Sequence, residues 1–192
     1  RMMTMAVNSF MVPLGRPAPP FALPSLDGQT VTSNDFTPGL PLLVMFLSNH
    51  CPYVRHIERE LGSLVAEYSE RDLAAVAICS NDTDTHPDDG PDGLIEQAHR
   101  AGFTFPYLRD DTQQVALAYR GACTPDFFLY NAERTLAYRG EFDESRPRND
   151  VPVTGKALRA ALDLVLAGQP VTEPQRPSMG CGIKWKPGNE PR

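Results

Sequence analysis

Two short apolar runs, residues 40–47 and 72–79, bracket a segment whose apolar side chains recur at helical spacing, and this block constrains the chain more than any other feature. Val54, Ile57, Leu61, Leu64, Val65 and Tyr68 fall on one stripe of a 3.6-residue period, with Glu and Arg on the opposite side. The flanking runs have strand length, and an uninterrupted apolar strand is one buried on both faces. Two such strands joined through a helix pair in parallel by a right-handed crossover. Helices must then cover both faces of the sheet, which sets the class as α/β.

The remaining chain extends this plan. Residues 81–92 form a loop rich in Asp, Pro and Gly, followed by a short helix through Leu94, Ile95 and Ala98. A short strand is expected at 105–108 and a helix through Val115, Ala118 and Tyr119. The rhythm then changes to two β-rich runs, 127–130 and 135–140, around the turn 131–134, and a closing helix through Leu158, Leu162, Val165 and Leu166. Ahead of the block, residues 21–32 alternate around Asp27-Gly28, a turn signal for a small hairpin. Parallel strands followed by an antiparallel pair predict a mixed central β-sheet flanked by helices, with an N-terminal β-hairpin extension.

A chain of 192 residues suits one folded domain. Ten of its 19 prolines stand in residues 13–24 and 170–191, so the ends read as extended. The expected organisation is an extended or disordered segment 1–13, a domain 14–168, and a Pro-rich C-terminal tail 169–192 that packs on it. A net charge of -6 repels phosphate backbones and anionic lipid heads, so no nucleic acid and no membrane is expected as a partner. No apolar run approaches the roughly 20 residues that span a bilayer. The chain therefore reads as cytoplasmic, with removal of a leader left open. Four cysteines, 28, 44 and 58 positions apart, are too few for a disulfide scaffold and contain no zinc-type pair. They point to chemistry or core packing, with no metal and no cofactor.

Cys51 follows the first buried run directly, in Asn49-His50-Cys51-Pro52-Tyr53-Val54-Arg55-His56. Proline is favoured at the first helical position, which places Cys51 at the N-cap. A thiolate there faces unpaired N–H groups and the positive end of the helix dipole, and Arg55 and either flanking histidine, His50 or His56, can add positive charge nearby. The same position is the carboxyl end of a strand, where open α/β sheets bind ligands. A cysteine can instead simply fill space, but polar neighbours at a helix start are poor company for a packing residue. The second notable segment, Gly121-Ala122-Cys123-Thr124-Pro125-Asp126, leads into the strand 127–130. Taken alone, Thr124-Pro125 reads as an ordinary trans turn.

Together, the cysteine at the strand-to-helix junction, a Thr-Pro pair whose proline stands 74 residues later ahead of a hairpin, and the element order resemble the thioredoxin fold. Within it the chain is similar to the redoxin branch of alkyl hydroperoxide reductase/thiol-specific antioxidant proteins. NHCPYV at 49–54, CTPDFFL at 123–129 and GCGIKWKPG at 180–188 resemble its peroxiredoxin-like subgroup, and the resemblance spans roughly residues 14–188. It implies that Pro125 is cis and packs against Cys51. There are departures. Val54 stands where a thioredoxin has its second cysteine. Ser48-x-x-Cys51 fits the end of a peroxiredoxin motif, yet Val44 holds its proline position and Thr124-Pro125 lies where that site has its arginine side.

These residues predict a thiol-based oxidoreductase. Cys51 attacks a disulfide or a peroxide, and Cys123, Cys181 or an external thiol reductant resolves it. Cys123 ranks first because it lies two residues before Pro125; Cys181, between glycines and near the anchoring Trp185, ranks second. Asn49, His50, Pro52, Arg55, Thr124 and Pro125 are expected to shape the partner-binding face. Cys79 reads as core, the cluster Asp82, Asp84, Asp88, Asp89 and Asp92 as a solvated acidic loop, and Asp143 as surface charge. The alternative is a thioredoxin-fold binding module without turnover, using its Pro-rich ends and Trp185.

Overall fold

The computed structural model describes residues 6–172 and 174–192. In chain order they form β1 (Ala6–Asn8), β2 (Ala22–Pro24), β3 (Thr30–Thr32), β4 (Leu42–Phe46), α1 (Pro52–Ser69) and β5 (Ala74–Cys79). Then come α2 (Pro91–Ala101), β6 (Tyr107–Arg109), α3 (Gln114–Tyr119), β7 (Cys123–Thr124), β8 (Asp126–Tyr130), β9 (Leu136–Gly140), α4 (Lys156–Leu166) and β10 (Met179–Gly182).

β4 lies at the centre of a five-stranded sheet of order β6-β5-β4-β8-β9. It pairs in parallel with β5, Val44 opposite Val76, and antiparallel with β8, Val44 opposite Phe128. The strand alternation divides its side chains between two cores. Leu43, Met45 and Leu47 pack with Val54, Leu61, Leu64 and Leu158 of α1 and α4. Leu42, Val44 and Phe46 pack on the other face with Ala116 and Tyr119 of α3 and with Phe21 and Leu23 of the hairpin. None of these β4 side chains retains solvent exposure. Each such burial contributes about 1.5–3 kcal/mol, so the continuous apolar run is what a two-sided strand requires.

The hairpin of β2 and β3 forms as the Asp27-Gly28 signal predicts, with Leu23 opposite Val31 and Gly28 at a positive φ of 86°. Asp143 differs from expectation. It is buried, and its carboxylate accepts N–H bonds from Ser145, Thr154 and Gly155, fixing the turn that enters α4.

A second sheet is absent from the sequence-based expectation. β10 runs between β1 and β7, antiparallel to both, with Cys181 opposite Ala6 on one side and Thr124 on the other. Ser9 and Ser178 extend the contact: the Ser9 N–H donates to the Ser178 carbonyl, and the Ser178 N–H donates to Ser9 Oγ. The strand approaches so closely that a Cβ on Gly180 would stand 2.0 Å from the Thr124 carbonyl oxygen. Glycine is needed there because a backbone group occupies the space of any side chain.

Candidate active site

Cys51 is the N-cap of α1 with Pro52 at the first helical position, and its side chain is fully buried. Its Sγ lies 2.8 Å from Sγ of Cys181 and 3.3 Å from the Thr124 carbonyl oxygen; both thiols are free. The Thr124-Pro125 bond is cis. The Thr124 hydroxyl is 3.0 Å from Ser48 Oγ, which tightens the floor beneath the sulfur.

Burial pushes the Cys51 thiol up, but hydrogen bonds oppose it. The Cys181 S–H, the Val54 N–H, the Thr124 hydroxyl and the Cys181 N–H together bring it down to about 6. The Cys181 thiol moves up, because it donates to Cys51, is buried, and faces the negative charge there. One proton therefore sits between two sulfurs, with Cys51 as thiolate and Cys181 as thiol at neutral pH. An acidic thiol is thus pressed against a neutral one.

Of the two candidate partners, Cys181 and not Cys123 stands in contact with Cys51. Successive residues of a strand point to opposite faces, and residues directly opposite across an antiparallel pair share a face. Cys181 is opposite Thr124 and so meets Cys51, whereas Cys123 turns away and donates to the Pro125 carbonyl at 3.5 Å. Burial, with the charges of Asp126 and Cys51 behind it, holds the Cys123 thiol far above its ordinary value. Cys79 is likewise buried at the end of β5, and its thiol is raised by burial and by Asp89. Of four buried cysteines, one is acidic.

Arg55 also differs from expectation. Its Nε donates to the Asn49 carbonyl at 2.7 Å, so the guanidinium braces the loop, and it is not among the groups that lower the Cys51 thiol. His56 reaches Ser145 Oγ at 2.7 Å and His50 Nδ1 bonds to Asp89, so neither ring is spent on the sulfur. Asn49 donates its N–H to Asp89 Oδ1 at 2.7 Å and its side-chain amide to the Asp88 carbonyl, while its Oδ1 accepts from Arg100. The Pro125 carbonyl accepts from Ser178 Oγ, and Trp185 packs against the Phe46 core.

Two residues that sequence reasoning missed are carboxylates. Asp89 is buried, not part of a solvated loop, and Asp82 is buried with it. Nothing in the row of aspartates marks Asp89; only its place in the helical turn Pro87–Asp89, beneath residues 49–50, makes it special. Asp126 lies fully buried at the start of β8, where burial pushes it up to about 7 against hydrogen bonds from the Ala122 N–H and Ser9 Oγ. Among the described residues no group of three or more His, Cys, Asp or Glu could hold a metal ion, and no helix is long and apolar enough to cross a membrane.

A parallel β-α-β unit, an antiparallel hairpin and a helix-capping cysteine against the carbonyl of a cis Thr-Pro bond define a thioredoxin-like fold. Solved structures agree. The thiol:disulfide interchange, thioredoxin family protein of Chlorobium tepidum superposes with a TM-score of 0.61 at 16% identity, over 79% of this chain and 97% of its own. Far nearer in sequence are a conserved protein from Geobacillus kaustophilus (47% identity, TM-score 0.94, 97% of this chain and 100% of that one) and a hypothetical protein from Sinorhizobium meliloti (45%, 0.92, 94% and 99%). No curated protein matches the sequence. The profile of the AhpC/TSA family matches residues 14–139, and the chain belongs to that family of the redoxin superfamily.

Proposed function

We propose that the protein is a thiol oxidoreductase of the peroxiredoxin-like kind whose redox couple is Cys51 and Cys181. The observation that carries this reading is the 2.8 Å contact between an acidic thiol and a neutral one at a helix N-terminus. Cys51 is fully buried and Cys181 nearly so, which suits a small oxidant, a hydroperoxide or a low-molecular-weight disulfide, rather than the sulfur of a folded protein. With a hydroperoxide, the Cys51 thiolate attacks one peroxide oxygen. The S–O bond forms, the O–O bond breaks, and the departing oxygen takes up a proton to leave as alcohol or water. The Cys181 sulfur then attacks the sulfenic sulfur, and the displaced hydroxide leaves as water with the Cys181 proton. An external dithiol, of the kind a cytoplasmic setting supplies, returns both thiols by exchange. Asn49, His50, Pro52 and Arg55 hold the loop and helix start, and Thr124 and Pro125 form the wall facing the sulfur.

Peptide mapping after one equivalent of hydrogen peroxide tests the reading. A Cys51–Cys181 disulfide is expected in the intact protein, and in Cys181→Ser a Cys51 sulfenic acid trapped by dimedone. If neither cysteine is oxidised in preference to Cys79 and Cys123, the proposal fails and a binding module without turnover takes its place.

A further inference from the structure

Asp89 sends its two carboxylate oxygens to the two segments that carry the reactive sulfurs. Oδ1 accepts the Asn49 N–H at 2.7 Å and the His50 N–H at 3.2 Å, the last two backbone N–H groups before Cys51. Oδ2 accepts His50 Nδ1 and, at 2.9 Å, the side-chain amide of Asn81. That amide continues the chain of contacts. Asn81 Oδ1 accepts the Lys184 N–H at 2.8 Å, three residues after Cys181, and the Asp82 N–H donates to the Lys184 carbonyl at 2.8 Å. The carboxylate is fully buried beneath these groups, and its donors hold it below the usual carboxylate range although burial opposes them.

We propose that Asp89 is a positioning residue that sets the spacing of Cys51 and Cys181, tying the Cys51 loop directly and the Cys181 segment through Asn81. The inference rests on the redox couple proposed above. Asp89 touches neither sulfur and takes no part in bond making; it fixes the two backbones whose separation decides whether the Cys181 S–H reaches the Cys51 thiolate. The arrangement also explains why Asp89 is buried while its neighbour Asp88 is exposed. A carboxylate can satisfy several donors at once, and two unpaired backbone N–H groups in a closed loop need an acceptor.

The sign of one measurement separates positioning from a through-space charge. Removing a negative charge near a thiol lowers its pKa, whereas loosening the donors around the Cys51 thiolate raises it. The test compares the pH profile of Cys51 alkylation by iodoacetamide and the Cys51–Cys181 disulfide equilibrium in glutathione buffers for the intact protein, Asp89→Ala and Asn81→Ala. In Asp89→Ala the alkylation midpoint rises from about 6, with roughly fivefold slower alkylation at pH 6 for a rise of one pKa unit, and a fall of about tenfold in the disulfide equilibrium constant. Asn81→Ala cuts only the Cys181 arm, so the equilibrium constant falls while the midpoint moves up less. A midpoint that falls, or a lower melting temperature with midpoint and equilibrium unchanged, overturns the proposal. If Asp89→Ala does not fold, an unchanged equilibrium constant in Asn81→Ala overturns it alone. Absence of the disulfide in the intact protein defeats instead the functional reading beneath it.

Discussion

In the five-stranded sheet every residue of β4 and β8 is buried, and each of these strands has a hydrogen-bonded neighbour on both sides. In the three-stranded sheet the strands hold two to four residues, and β1 is exposed along its length. The first sheet carries two cores; the second carries no core of its own and is held by backbone bonds, serines and a glycine contact. Yet the sulfur couple lies at the seam, Cys51 supplied by the first region and Cys181 by the second. On the redox couple proposed above, stability and redox geometry are thus housed in different places, and damage to one should leave a different trace from damage to the other.

The largest effect should come from the first region. Leu43→Ala opens a cavity between α1 and the sheet and costs about 2–5 kcal/mol, read as a lower melting temperature, while the midpoint of Cys51 alkylation stays where it is. A retained stability, or a shifted midpoint, would break the division between the regions.

Asp126 joins them, standing on β8 and accepting from Ser9 beside β1. In the folded protein it holds its proton up to about 7, against 3.8 in an unperturbed chain. Between those values the folded state binds more protons than the unfolded one, so stability falls as pH rises through the window and levels off above it. The span is worth about 4 kcal/mol at 1.36 kcal/mol per unit. Denaturation followed from pH 4 to 8 should show this slope in the intact protein and lose it in Asp126→Asn.

Gly180→Ala forces a Cβ into the Thr124 carbonyl, and backbone rather than a flexible side chain must give way. An overpacking cost of about 1–3 kcal/mol is expected, together with a lower yield of the Cys51–Cys181 disulfide on oxidation. An unchanged yield would show that β10 can shift without separating the sulfurs. Smallest of all, Ser9→Ala leaves the Ser178 N–H without its acceptor and should cost about 1 kcal/mol, measured by denaturant titration, with only a slight change in disulfide yield.

The sequence made the first region legible because its patterns are long relative to their periods. Eight apolar residues followed by a six-member helical stripe admit one arrangement, and Pro52 fixes where the helix starts and hence what Cys51 caps. The second region offers no such run. Strands such as Cys123–Thr124 and Met179–Gly182 are too short to alternate visibly, and glycine and proline around them read as loop. Cys123 outranked Cys181 at that level because nearness in sequence to Pro125 says nothing about which face a residue occupies. Asp89 was hidden for a related reason. Asp84, Asp88, Asp89 and Asp92 are the same residue type in one loop, and only the burial of the third and the donors converging on it distinguish it.

The insertion of β10 between β1 and β7 also gives the couple a place in time. Cys51 and Cys181 are 130 positions apart, and closing so long a loop carries a greater entropic cost than pairing β4 with β5. A ribosome delivers the β4-α1-β5 unit well before residue 181 emerges. During that interval Cys51 has a helix behind it but no second sulfur in front, so its finished acidity arrives only with the seating of β10. The thiol pair thereby reports that β10 has been seated.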